Sequence, residues 1–154
     1  STVAPIDFTD ALPRGLAGPV PTGPSFHTEA KAAVMRAFER AAIGPRDISF
    51  TELQDNTCYY ELAFPEEWGL CEPGEAQALL DSGQTTPVGR MPINPSGGFV
   101  SFGEATTAMG VWQIAELTWQ LRGQAGARQV PDAKVGLAQT NGVGGNATAA
   151  ILKR

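Results

Sequence analysis

Two hydrophobic periods alternate along the chain. Between His27 and Ala42 the apolar residues Ala30, Val34, Phe38 and Ala41 recur at three- and four-residue steps, the spacing of one helix face. Ser25 or Thr28 can cap the start of this helix, and Gly44-Pro45 ends it. From Asp47 to Leu53 the pattern changes to alternation, with Ile48, Phe50 and Leu53 as strand residues. Residues 57–69 read as a short helix interrupted by Pro65 and closed by Gly69. Pro73-Gly74-Glu75 opens another that runs to Asp81 and stops at Gly83, and residues 84–93 read as a loop. From Ala105 to Arg122, residues such as Met109, Val111, Trp112, Ile114, Leu117, Trp119 and Leu121 cover most of a helix circumference, which predicts burial on more than one side. Lys134–Thr140 and Asn146–Lys153 are strands joined by the glycine turn 141–145, an antiparallel hairpin. At the other end, residues 2–9 read as a strand and 11–24, with four prolines and three glycines, as an irregular loop. Helix, short turn and strand in succession make the αβ step of an α/β fold.

The stretch from Asn94 to Gly110 interrupts this regularity. An Asn-Pro turn is followed by Gly97-Gly98, then by Phe99–Ser101, which can run as a short extended piece, and by Gly103-Glu104 at the entry to the long helix. Glycines let backbone approach a neighbour closely, and a helix N-terminus presents unpaired N–H groups. Together they can seat a ligand oxygen or a developing anion. The same pattern also serves as a plain strand-to-helix turn.

Composition narrows the classes. The chain has 154 residues, 42% hydrophobic and 18% charged, enough for one domain with a real core. A net charge of −5 with scattered Lys and Arg gives no nucleic-acid footprint. The most apolar stretch, Met109 to Leu121, carries Gln113, Glu116 and Gln120 and is too polar to span a bilayer. The N-terminus lacks a basic region followed by an apolar core, so no secretory signal is expected. Cys58 and Cys71 suit a reduced, cytoplasmic protein better than a disulfide framework. With the single His27 in a third segment they do not assemble a zinc site.

Five segments in order resemble the C-terminal half of thiolase-superfamily enzymes: LQDNTCYYEL at 53–62, GLCEPGEAQALLDSG at 69–83, MPINPSGGF at 91–99, FGEATTAMG at 102–110 and QTNGVGG at 139–145. The middle pieces are most similar to the sterol-carrier-protein-x branch, the thiolase-type lipid-transfer proteins. The resemblance covers about residues 26–154 and implies two regions, an N-terminal strand and Pro/Gly-rich loop at 1–24 and a thiolase C-terminal-like domain at 25–154. It implies a mixed sheet of about five strands with helices on both faces.

The departures from the family pattern bear on the chemistry. The histidine that activates the thiolase nucleophile falls at Glu104, the second cysteine at or near Asn141, and the His of the His-Asp pair at Gln54, with Asp55 retained. Neither Cys58 nor Cys71 aligns with a catalytic cysteine, so ordinary thiolase chemistry is not supported. Aldolase members of the lipid-transfer branch cleave acyl-CoA thioesters of steroid side chains and work with a small partner carrying a zinc ribbon and an OB fold. By that resemblance the expected ligand is a CoA thioester, with no covalently bound cofactor and no metal. The expected partner is a second thiolase-like half or subunit, with a zinc-ribbon/OB-fold protein as a further one.

A retro-aldol cleavage needs a base for a β-hydroxyl proton and donors for the thioester oxygen as the enolate forms. Glu104 is a chemically competent base, Tyr59 or Tyr60 an acid, and Gln54, Asn141 and the N–H groups of Gly142, Gly144 and Gly145 are donors; Asp55 and Asn56 complete the strand end, and Gly97, Gly98 and Gly103 give close approach. Each also has a plainer reading: a carboxylate at a helix N-terminus for Glu104, packing for the tyrosines, a polar strand-end network for Gln54-Asp55, a tight hairpin for 141–145. Two functions therefore stand side by side, acyl-CoA carbon–carbon cleavage or acyl transfer, and a non-catalytic subunit paired with an active one. The first expects Glu104 in a closed cavity; the second expects it exposed or ion-paired, with Phe102 or Met109 filling the space.

Overall fold

The computed structural model describes residues 26–142 and 146–154. The elements are α1 (Phe26–Ala41), β1 (Phe50–Glu52), α2 (Tyr59–Glu67), α3 (Ala76–Asp81), α4 (Gly98–Phe102), α5 (Met109–Arg122), β2 (Val135–Gly142) and β3 (Asn146–Lys153), with short 3-10 turns at Pro45–Asp47, Thr106–Ala108 and Gly126–Arg128. The expected strand at 2–9, the loop at 11–24 and the turn glycines Gly144 and Gly145 lie outside the described residues.

Among the described residues the sheet has three strands in the order β1-β2-β3, where about five were expected. β1 runs parallel to β2 (Phe50 opposite Gly136) and β2 antiparallel to β3 (Gly142 opposite Asn146), so the sheet is mixed as expected. Segment 92–94 touches the outer edge of β1 as a single parallel bridge, Thr51 to Ile93, too short to count as a strand.

Alternation along β2 sorts the core into two. Leu137 faces a cluster with Ala30, Val34 and Phe38 of α1, Phe64 and Trp68, while its neighbour Ala138 faces Leu117 and Leu121 of α5 with Phe50 and Val130. Helices thus cover both faces, as the α/β reading requires. Along α2 and its C-terminal cap the rings of Tyr60, Phe64 and Trp68 stack at one-turn intervals, with centroids 4.6 and 4.9 Å apart.

The long helix departs from expectation. Its 3-10 lead-in precedes regular helix at Met109, and only one side is buried. That side is Met109, Gln113, Glu116, Leu117, Gln120 and Leu121, while Val111 and Trp119 are exposed. The polar residues that break the apolar run are inside because each has partners. Arg128 holds Glu116 with charge-assisted bonds, Nε to Oε1 at 2.9 Å and to Oε2 at 3.1 Å, and Nη2 to Oε2 at 2.8 Å. Gln120 donates to the Arg128 carbonyl and accepts from Val130 N, and Gln113 donates to the Gln139 carbonyl.

Candidate functional site

The segment Asn94–Phe102 is locked to β1 and its extension by side chains from both. Asn94, held at φ +46°, accepts from Leu53 N and donates to Glu61, while its own N–H bonds Thr51 O. Ser96 N lies 3.1 Å and Ser96 Oγ 2.7 Å from the two carboxyl oxygens of Glu52. Asp55, fully buried, accepts from Phe99 N at 2.7 Å and Val100 N at 3.4 Å. The expected extended piece Phe99–Ser101 is therefore helix α4. Gly97 turns the chain at φ +100°, and the Asp55 carboxylate satisfies the first free N–H groups. Gly98, at φ +63°, lies so close to Asp55 that a Cβ there would run into its carboxylate. Asp55, Gly97 and Gly98 thus belong to a clasp that holds the strand end.

Burial pushes the Glu52 carboxyl up to about 8; its bonds from Ser96 pull the other way, and the charges of Glu116 and Asp55 add to the rise. Burial likewise raises Glu61, partly offset by its bond from Asn94. Neither residue stood out in the sequence. A glutamate inside the strand run Phe50–Leu53 was the available signal.

Over the ends of β1 and β2 lies a cleft of about 980 Å3, walled by α5 and floored by the β2–β3 hairpin. It brings together Gln54, Asn56, Tyr60, Glu104, Asn141 and Gly142 of the expected site residues. Tyr59 is 57% exposed and outside this lining, and Gly103 is an exposed turn glycine at φ +82°. Glu104 and Asn56 are exposed, Tyr60 and Asn141 half-buried, and Gln54 buried. Met109 is buried in the wall, Phe102 is 65% exposed and set edge-on to Trp112, and the cleft is open. Residues the sequence did not single out also line it, among them Thr107, Thr140 and Asn146. Gln54 Oε1 accepts from Thr140 Oγ1 at 3.0 Å and from the Asn141 backbone N–H. The strand end is thus neutral and amide-rich, and the carboxylate of Glu104 stands at its rim.

Among the described residues both cysteines are free thiols, Cys58 exposed and Cys71 buried, and burial pushes the Cys71 thiol up to about 11. No grouping of three His, Cys, Asp or Glu side chains able to hold a metal ion occurs among them, and no helix is long and apolar enough to cross a membrane.

A mixed sheet with helices on both faces, ending in the β2–β3 hairpin and fastened by an Asn-Pro-Ser-Gly-Gly clasp, defines a mixed α/β domain. Residues 23–154 match the thiolase C-terminal domain-like family, and the chain belongs to it. Sterol carrier protein 2 of Rattus norvegicus is 45% identical over 123 residues, 80% of this chain and 22% of that protein. An acetyl-CoA acetyltransferase of Methanothermobacter thermautotrophicus is 38% identical over 123 residues, 79% of this chain and 32% of that one. The solved structure of an Ltp2-ChsH2(DUF35) aldolase superposes with a TM-score of 0.68 at 29% identity, covering 81% of this chain and 31% of that chain. The chain spans about a fifth of the length of the sterol carrier protein 2 relatives it matches.

Proposed function

We propose that this domain handles the CoA thioester of a bulky lipid and takes part in retro-aldol cleavage of its acyl chain, within an assembly that includes a second thiolase-like half. The observation that carries the reading is the lining of the cleft, which among the described residues brings together Glu104, Tyr60 and the amides of Gln54 and Asn141 without a cysteine or histidine, although the cleft is open where a closed cavity was expected. In the proposed step Glu104 takes the proton of a β-hydroxyl, whose oxygen becomes a carbonyl as the Cα–Cβ bond breaks. The electron pair passes to the thioester as an enolate, its oxygen held by the amide donors. Protonation at Cα, with Tyr60 as the acid, yields a shortened acyl-CoA and a ketone or aldehyde. The likeness to the Ltp2-ChsH2(DUF35) aldolase supports carbon–carbon cleavage over acyl transfer. The likeness to that aldolase and to a benzoylsuccinyl-CoA thiolase subunit from Thauera aromatica supports a partner subunit, a zinc-ribbon/OB-fold protein being the further candidate. Two free thiols support a reducing, cytoplasmic setting.

The second reading is a non-catalytic subunit, favoured by the exposure of Glu104 at the rim. The two separate on one experiment. The chain, alone and with its co-purifying partners, is given a β-hydroxyacyl-CoA with a branched side chain, and products are identified by mass. Glu104→Gln is expected to lower turnover by about 10²–10³-fold. Binding of the thioester with no cleavage in any assembly, or cleavage unchanged in the variant, favours the scaffold.

A further inference from the structure

Three side-chain amides at the ends of β1 and β2 form a chain whose polarity is fixed from outside. Amide oxygen and nitrogen are assigned from their hydrogen bonds, and a backbone N–H can only donate. Asn141 N–H meets Gln54 Oε1, so that atom is an oxygen, which Thr140 Oγ1 shares. Gln54 N–H meets Gln139 Oε1 at 3.4 Å, so the other end of Gln139 is its nitrogen. That nitrogen donates to Asn141 Oδ1 at 2.8 Å. Asn141 has thereby used its oxygen and is left with Nδ2. Among the described residues neither Asn141 Nδ2 nor Gln54 Nε2 has a recorded protein partner, and both residues line the cleft. Gln139 itself is 1% exposed, and its carbonyl is held by Gln113 Nε2 at 2.8 Å.

We propose that Gln139 is a positioning residue, which holds the Asn141 amide with its nitrogen toward the cleft so that Asn141 and Gln54 offer two neutral donor groups to one carbonyl or thioester oxygen. The choice of ligand rests on the acyl-CoA reading above; the orientation does not. The pair is suited to a neutral oxygen that gains charge, because amide donors keep their protons across the whole working pH range. A buried glutamine in a strand of otherwise apolar inward positions is explained by this role, since its two ends serve two different backbone-anchored partners.

The orientation is measured without ligand, on the ¹⁵N-labelled full chain, from solvent exchange of the side-chain NH2 groups. Asn141 is expected to exchange fast. In Gln139→Glu the introduced carboxylate accepts instead of donating, the Asn141 amide turns over to donate to it, and its exchange slows by at least about 5-fold. An Asn141 NH2 already protected in the wild-type chain overturns the proposal, with or without a folded variant, and so does one indifferent to the substitution. Gln139→Met, which removes the anchor without adding charge, is the second variant, expected to broaden the Asn141 NH2 signals as the amide rotates. Titration then compares acetyl-CoA with its S-ethyl thioether, which lacks the oxygen. Both NH2 groups are expected to respond to the first and not the second. Backbone shifts at Gly110 or Gly142 without either NH2 responding overturn the donor pair and leave the acyl-CoA reading intact. No response anywhere in the cleft removes the acyl-CoA reading and the donor pair with it, while the exchange result still decides the role of Gln139.

Discussion

Gly98→Ala is expected to destabilise the domain by about 3–5 kcal/mol, the sum of a left-handed residue's strain, overpacking and a damaged buried carboxylate contact. Residue 98 sits at φ +63°, and the added methyl would enter the space of the Asp55 carboxylate. Asp55 would have to leave Phe99 N and Val100 N, two donors with no other partner among the described residues, and its own carboxylate is fully buried. Gly123→Ala is the internal control: φ +70° and ψ 28° are left-handed, but nothing lies within 4 Å of the added carbon. That variant should show the backbone strain alone, about 1–2 kcal/mol. Urea unfolding of both variants checks the difference; equal midpoints would mean that the contact with Asp55 carries no weight.

The second large effect is on pH. The Glu52 carboxyl is raised from 4.5 to about 8 in the fold, so between those values the native state holds a proton that the unfolded chain has released. Stability tied to this group is then full below the unfolded pKa, declines as pH rises through the window, and levels off above about 8. Each unit is worth about 1.4 kcal/mol, so the loss over this window is on the order of 5 kcal/mol. Glu52→Gln matches the protonated acid in shape and can keep both contacts to Ser96. It is expected to remove the part of the decline due to this group and to be more stable than the wild type at pH 8, most clearly in thermal melts taken at half-unit pH steps. Parallel pH profiles for the two proteins would refute this account. Glu61 is also raised and is unaffected by the substitution, so a smaller residual slope is expected to survive.

Much of the architecture is legible in the residue pattern because it depends on local periodicity. The helix read at 27–42 is α1 at Phe26–Ala41, and the last strand, Asn146–Lys153, is found as read. The errors arise where a distant residue decides. Phe99–Ser101 looks extended by composition, yet it is helical because Asp55, 44 positions away, supplies its N-terminal acceptor. Burial of α5 on more than one side was expected from its apolar residues, yet its one buried side includes Gln113, Glu116 and Gln120, which Gln139, Arg128 and Val130 satisfy across the fold. The candidate site divides on the same line. Glu104, Gln54 and Asn141 could be placed by resemblance and do share a cleft with Tyr60. Glu52, Ser96 and Gln139 could not, because their importance lies in pairings that no spacing encodes.

The order of strands also bears on how the protein is made. The middle strand of the described sheet, β2, is the next to last in the chain, and its parallel partner β1 precedes it by more than eighty residues. During synthesis β1 therefore waits with its inner edge bare until residues 135–142 leave the ribosome. Segment 92–94 can shield only the other edge in the meantime. A nascent chain stalled between about residues 100 and 134 would display that bare edge beside unburied Phe50 and Leu53, the state most prone to aggregate or to recruit a chaperone. Completion of the hairpin then closes the sheet in one late event.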